Sequence, residues 1–508
     1  MALATIYTRG LIGIQAPSIT VEAHVGKGLP AFTLVGLPES TVRASRDRVR
    51  SAILNSGYQF PARRITVSLA PADLPKEGAR YDLPVALSIL AATQQIPGMR
   101  LKPYEFLGEL SLAGELRGVY GAIPAAHGAA GDGRQLILPQ ANREEIALLP
   151  GSQACLAGCL QQVCRFLQGN GSLIIADPTT DTRPAPSDGS DLAEVIGQQQ
   201  ARRALEIAAA GGHNLLLIGP PGTGKTMLAS RLPGLLPPLT DNEAMETAAI
   251  TSLVSVSTAR RHWRQRPFRA PHHSTTMAAL VGGGTFPRPG EISLAHNGVL
   301  FLDELPEFQR RVLDALREPL ETGEIHIARV QASVCLPARF QLVAAMNPSP
   351  SGDRSGVHAR CGPAEILRYL NRLSGPFLDR FDLSVEVPLL PPGSLRRRPP
   401  PGEDSATVRA RVMAARAIQL ARAQSLNARL SNTQLAQWCP LSEADGQFLE
   451  NALTSLGLSV RAWHRLLKVA RTLADLAGEA QISRNHLAEA LSYRCIDRLL
   501  HELWQQRE

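Results

Sequence analysis

The chain has 508 residues, 44% hydrophobic and 19% charged, with 53 Lys+Arg against 45 Asp+Glu and a net charge of +8. No run approaches eighteen consecutive apolar residues, so a membrane span is not expected. The start, MALATIYTRGLIGIQAP, lacks a basic stretch followed by a long apolar one, and seven cysteines are too sparse for a disulfide framework, which predicts a cytoplasmic, reduced protein of two to four domains.

Residues 1–176 predict an α+β domain. Short β-like runs occur at 32–35, 65–69 and 136–138, and helical stretches at 40–55 and 82–93. Cys155, Cys159 and Cys164 are close in sequence, but no second ligand pair follows, so packing is the expected role. Residues 75–90 (PKEGARYDLPVALSIL) and 107–118 (LGELSLAGELRG) resemble the catalytic domain of Lon proteases. That resemblance implies a nucleophilic Ser two residues after Gly78 and a Lys soon after residues 121–123. Arg80 and Pro124 stand there instead, and no lysine occurs between Lys102 and Lys225. A Ser–Lys dyad needs an amine as base, so the domain is expected not to be a peptidase. It would bind substrate, DNA or a partner, or help a ring to close.

Residues 177–190, rich in Pro, Ser, Thr and Asp, read as a linker. Residues 191–390 follow as a nucleotide-handling core. The apolar run 214–218 predicts a buried strand, and a helix is expected from Met227. Between them lie Gly219, Pro220, Pro221, Gly222, Thr223, Gly224, Lys225 and Thr226, which fit G-x-x-x-x-G-K-[ST]. A strand, a glycine loop and a helix point backbone N–H groups and a helix N-terminus at an anion, as ATP binding requires. Residues 299–304 (VLFLDE) read as a strand ending in two acids. Asp303 would hold Mg²⁺ together with the Thr226 hydroxyl, and Glu304 would polarise the attacking water. The plainer alternative is a strand followed by an acidic turn. Asn347 ends a further apolar run, 341–347, where a parallel sheet presents ligand contacts.

Two segments stand apart. Residues 269–290 are long and rich in Gly and Pro. His272 and His273 there suit structure or substrate contact better than one shared metal ion. Residues 325–336 alternate and predict a hairpin with Arg329 at its basic tip. After a second linker at 391–404, residues 405–508 are helical, with apolar spacing of three to four at 460–476 and 482–500. Residues 391–508 hold 16 Lys+Arg against 11 Asp+Glu, a surplus of 5, whereas residues 1–190 hold 17 against 15. A basic surplus permits nucleic-acid binding and equally suits a solvated surface.

The order GPPGTGKT, PGEISLAHNGVLFLDE, AAMNP, LSGPFLDRFD and LSVRAWHRLLKVARTLADL resembles the Mg-chelatase-like AAA+ ATPases, in their ComM/YifB branch, across essentially the whole chain. The resemblance implies an AAA+ P-loop core, a parallel sheet with helices on both faces, carrying a helix-two insert, a pre-sensor hairpin and a C-terminal helical lid. It implies a ring, usually a homo-hexamer, with ATP between subunits. Asn347 matches the sensor. Arg380 matches the arginine finger that reaches the neighbour's γ-phosphate, the alternative being a local pair with Asp379 or Asp382. Arg461 matches the lid sensor that contacts phosphate in its own subunit, the alternative being an exposed helix arginine. The hairpin is similar to that of MCM-type helicases, which would place Arg329 in a pore to track DNA phosphates, against a merely solvated arginine. Many relatives carry four cysteines after the sensor Asn; only Cys361 stands here, so no zinc is expected besides the Mg²⁺ that accompanies ATP. The implied function is a DNA branch-migration helicase serving natural transformation, with no membrane partner. The alternative is a protein-remodelling motor like the ATPase subunit of magnesium chelatase.

Overall fold

The computed structural model describes residues 2–76, 78–176, 190–256, 258–284, 287–328, 333–353, 361–391, 402–458 and 460–506. Residues 177–189 and 392–401, most of both expected linkers, fall outside these ranges, as does Arg329.

Alternating side chains build the front domain. Along β2 (Ser18–Gly26), inward residues Ile19, Val21, Ala23 and Val25 are buried while Glu22 and His24 face out, the period of a sheet with one covered face. β1 (Ala2–Arg9) pairs antiparallel to β2, which pairs antiparallel to β4 (Arg64–Ala70), and β3 (Ala31–Val35) runs parallel to β4. On the other side of β1 follow β5 (Tyr104–Phe106), β6 (Gln135–Pro139), β7 (Cys155–Ala157) and β8 (Ile174–Ile175), giving the order β8-β7-β6-β5-β1-β2-β4-β3. Helix α1 (Glu39–Asn55) packs on α2 (Asp82–Ala92), and every residue of α2 is buried against the sheet. The seven cysteines are all free, and Cys155 and Cys164 sit in this core.

The second sheet has five strands in the order β10-β11-β14-β9-β15, where β9 is Leu215–Ile218, β10 Phe268–Arg269, β11 Val299–Leu302, β14 Gln341–Met346 and β15 Leu383–Glu386. Every pairing in it is parallel. Such a sheet is covered on both faces, so its strands are continuous apolar runs: β9, β11 and β14 are buried at every residue. Leu215 and Leu217 join the core shared with the helical C-terminal region, while Leu216 and Ile218 join the opposite one. The strands β12 (Glu324–Ala328) and β13 (Ser333–Pro337) form the expected hairpin outside this sheet.

The C-terminal region comprises helices at Ser405–Ala423, Asn432–Trp438, Glu443–Ser455, Val460–Ala477, Arg484–Ser492 and Cys495–Gln505. The apolar spacing over 482–500 is broken into two helices. Tyr493 spends its carbonyl on Ser384 N of β15 (2.7 Å), and Ser384 Oγ accepts from Ile496 N (3.0 Å), so a strand of the sheet interrupts the helix. Among the described residues no helix is long and apolar enough to cross a membrane.

One polar knot fixes the lid. Asp475, on the helix Val460–Ala477, accepts from both terminal nitrogens of the half-buried Arg422 (2.7 Å each), and from the buried Asn427 Nδ2 (2.8 Å) and Arg471 Nε (3.2 Å). Asp475→Ala leaves the buried guanidinium of Arg471 and the half-buried one of Arg422 without their carboxylate and is expected to cost ~3–5 kcal/mol, read as loss of the lid's transition in calorimetry. A second buried acid acts on pH dependence. Burial pushes the Glu145 carboxyl up to about 8, against the smaller opposing effect of its bond from Asn142 Nδ2 (3.0 Å). The folded state therefore keeps a proton that the unfolded chain releases, and stability falls as pH rises from the ordinary carboxylate range toward 8. Glu145→Gln is expected to raise the melting temperature at pH 8 more than at pH 5, and an equal effect at both would contradict this.

Candidate functional site

The carboxyl ends of the parallel strands converge on one edge, where this topology gathers ligand contacts. β9 runs directly into residues 219–226. A Cβ on Gly219 would lie 2.2 Å from Val387 O, so only glycine lets the loop pass beneath the strand after β15. Gly222 (φ 78°) and Gly224 (φ 87°) take left-handed conformations that turn the loop into the helix Lys225–Leu235, two residues earlier than Met227. Lys225 is buried. Its Nζ donates to Gly219 O (2.6 Å), Pro220 O (2.8 Å) and Asn347 Oδ1 (3.1 Å), and burial lowers its pKa against the opposing charge of Asp303. Thr223 Oγ1 donates to Pro220 O (2.9 Å) and closes the loop on itself.

Asp303 follows β11. Its Oδ2 accepts from Thr226 Oγ1 (2.7 Å) and its Oδ1 from Glu304 N (2.9 Å). A carboxylate beside a hydroxyl is an all-oxygen donor pair, suited to a hard cation that keeps several waters, as Mg²⁺ does. A buried ammonium held only by neutral oxygens beside glycines that expose backbone suits a phosphate chain. These residues therefore fit Mg-nucleotide on their own chemistry. Glu304 takes a left-handed conformation (φ 53°), and its Oε2 lies 2.9 Å from His273 Nδ1. His273 thus touches the site, a contact the sequence reading of 272–273 did not find. The 31 residues separating the two are bridged by the adjacency of β10 and β11, and a histidine shortly after a strand beside the acidic one was the only available signal.

Arg380 and Arg461 sit elsewhere. Arg380 O accepts from Asn214 Nδ2 (2.9 Å), immediately before β9, at the edge of the sheet opposite the loop. Its guanidinium pairs with Glu321, not with Asp379 or Asp382, and its Nε is buried without a partner. Asp382 faces His213 Nδ1 (3.1 Å), and Asp379 faces Arg465 (3.5 Å) and Arg461 (3.8 Å). Burial, and then the charges of Arg465, Arg317 and Arg461, hold Arg380 below the usual guanidinium range. Arg461, expected as the sensor on the lid, lies with Asp379 beside Arg380 and is not among the residues hydrogen-bonded to the loop. Strand β9 alone separates the two edges by about 13 Å at ~3.3 Å per residue.

The hairpin places Glu324, His326 and Cys335 together, exposed, with ligand atoms within 4.8 Å of one another. The segment before Cys361, residues 354–360, lies outside the described residues. In the front domain, the buried Lys76 donates to the carbonyls of Pro71 and Leu74, and so to backbone in place of a serine hydroxyl.

Three family profiles match the chain: Subunit ChlI of Mg-chelatase over residues 21–142, Magnesium chelatase, subunit ChlI over 191–395, and Magnesium chelatase, subunit ChlI C-terminal over 402–494. The YifB protein of Escherichia coli K12 is 59% identical over 509 residues, and the competence protein ComM of Haemophilus influenzae 58% identical over 506, each alignment covering 99% of both chains. The magnesium-chelatase 38 kDa subunit of Rhodobacter capsulatus is 28% identical over 330 residues, 59% of this chain and 86% of that one. With a parallel sheet, a phosphate-type loop and a helical C-terminal region in one chain, the protein belongs to the magnesium-chelatase-like ComM/YifB family.

Proposed function

We propose that the chain is an ATP-hydrolysing ring motor acting on DNA, a homo-hexameric branch-migration helicase that helps incoming DNA recombine. The observation that carries the ATPase part is the split of the machinery between two edges of one sheet. Lys225, Thr226, Asp303, Glu304 and Asn347 gather at one edge, and Arg380 with Arg461 at the other. Two copies packed edge to edge would complete a site that a single copy leaves open.

Thr226 and Asp303 would hold the Mg²⁺ that accompanies ATP, which would supply positive charge against that of the phosphates. Lys225 would exchange its carbonyl partners for phosphate. Asn347 would orient the terminal phosphate or the attacking water. Glu304 would leave His273 and take up the water's proton. Arg380 and Arg461 of the adjacent copy would meet the charge that spreads in the transition state, which suits a rigid planar cation.

DNA as the substrate is supported by the basic surplus in residues 391–508, by the hairpin of β12 and β13, between which the sequence carries Arg329, and by the relative that bears the name competence protein. The remodelling-motor reading keeps one observation of its own, the three profiles named for a magnesium chelatase subunit. In either reading the front domain serves as a non-peptidase module, consistent with its lack of a serine–lysine pair.

Glu304→Gln is expected to slow turnover by ~10²–10⁴-fold with nucleotide binding retained, and Arg380→Ala by ~10³-fold or more. Mixing variants reads the geometry directly. Lys225→Ala mixed with Arg380→Ala should regain activity, because some interfaces then hold an intact loop facing an intact arginine. Arg461→Ala mixed with Arg380→Ala should stay inactive if both arginines serve the neighbour's site, and recovery in that mixture would return Arg461 to its own subunit's phosphates. Single-stranded or forked DNA should stimulate the ATPase, with binding that weakens steeply as salt rises. Absence of stimulation by any DNA would favour the remodelling motor.

A further inference from the structure

Between the front domain and the ATPase core lies a cavity of ≈270 Å³ that the nucleotide site does not use. One wall is Gly78, Arg80, Tyr81 and Tyr120 of the front domain, and the other is Leu253 and Arg288 of the ATPase core. Arg80 is only 8% exposed, and its Nε and Nη2 have no hydrogen-bond partner among the described residues. Those two nitrogens form the side-on fork of a guanidinium, which meets two oxygens of a carboxylate or phosphate in one plane.

Among the described residues no carboxylate fills that role. Asp82, two residues on, is taken by Ser45 Oγ (2.7 Å) and Arg48 Nε (2.7 Å). Glu109 lines the cavity, but its carboxylate faces Arg117 Nη1 (3.5 Å) and acts on Arg48, while the titratable group acting on Arg80 among the described residues is Tyr81. A second cation lines the cavity: the exposed Arg288 guanidinium lies 5.9 Å from the centroid of the Tyr120 ring and forms no ion pair among the described residues. At Gly78 (φ 84°) an added Cβ would meet open space. Buried polar groups in folded proteins are paired, and one that is not calls for a missing water or ion. Two guanidinium groups around one cavity, with no anion of the described residues paired to either, ask for more negative charge than one carboxylate carries.

We propose that this cavity is a phosphate-binding site in which Arg80 holds the phosphate side-on through Nε and Nη2 and Arg288 caps it. The phosphate is either a free ion or part of a nucleic-acid strand, and because the two walls belong to different domains, its occupancy ties the front domain to the ATPase core. The site is independent of the nucleotide loop and stands whether or not the chain hydrolyses ATP.

The test uses the full-length protein carrying Lys225→Ala, which removes the competing phosphate loop. Inorganic phosphate and the dinucleotide TpT are titrated at constant ionic strength while the melting temperature is followed. The expected result is a saturable rise of a few degrees that disappears when Arg80→Met is added. In phosphate-free buffer, Arg80→Met alone should be at least as stable as the unmodified protein, since it replaces an unpaired buried charge by an apolar chain of similar length. Arg80→Lys keeps the charge without the fork and should weaken the apparent affinity by about tenfold. A response to inorganic phosphate alone assigns the free ion, and a response to TpT assigns the nucleic-acid backbone. The proposal is overturned by a response to neither probe, by an unchanged response in the Arg80→Met background, or by a clear loss of stability of Arg80→Met without phosphate.

Discussion

Asn214 ties together the elements on which the ATPase core depends. Its side chain donates to Arg380 O (2.9 Å) and accepts from Leu342 N (2.8 Å), and its backbone carbonyl accepts from Asp382 N and Leu383 N (3.1 Å each). One half-buried amide thus sets the starts of β9, β14 and β15 at a common edge. In a parallel sheet, aligned starts imply aligned ends, and the ends carry Gly219, Asp303 and Asn347. The separation between that cluster and Arg380 is therefore built into strand length. Four buried residues of β9 stand between them, and no side-chain rotation removes that distance.

The lid is bound into the same frame. His213, one residue before Asn214, reaches Asp382 through Nδ1 and, through Nε2, Thr472 Oγ1 of the helix Val460–Ala477 (2.8 Å). Three residues along that helix from Thr472, Asp475 anchors Arg422 and Arg471, and toward its start the helix presents Arg461 and Arg465 to Asp379. The basic cluster is thus held by the sheet on one side and the lid helix on the other. In the proposed ring, an anion arriving at Arg380 would meet both, which would give an adjacent nucleotide a direct mechanical route into the lid.

What the sequence revealed followed from how local each feature is. The phosphate loop is a contiguous strand, loop and helix, so spacing alone exposes it, and β11 and β14 are apolar runs of four to six residues ending in polar groups. The helix at 460–476 carries a clear period, and the stretches at 40–55 and 82–93 are free of chain breaks that would hide a helix. Features set by tertiary pairing were hidden. The break at Tyr493 exists because Ser384 takes its carbonyl, and the contact of His273 with Glu304 exists because β10 lies beside β11. The edge on which Arg461 lies depends on how the lid folds back on the core, which no helical period encodes. Arg80 was visible as a departure from a protease pattern, but its unpartnered nitrogens are a property of the assembled cavity.

The front domain is not a detached appendage. Gly121 N donates to Ser252 O (2.8 Å) at the end of the helix Asp241–Ser252, and Ala248 and Ala259 share an apolar core with Ile123, Leu138 and Ile146. On the other side, Leu11, Ile12 and Ile14 pack into the core that contains Val334 and Leu336 of the hairpin, where Gly13 (φ 58°) comes so close that an added Cβ would lie 2.7 Å from Val334. Burial of this kind is worth ~25 cal/mol per Å² of apolar surface, and it resists separation in every direction. Movement of the hairpin base must therefore either carry the front domain along or expose these residues to water. If the proposed motor engages its substrate through the hairpin, the first outcome would be the less costly and would make the front domain part of the moving element.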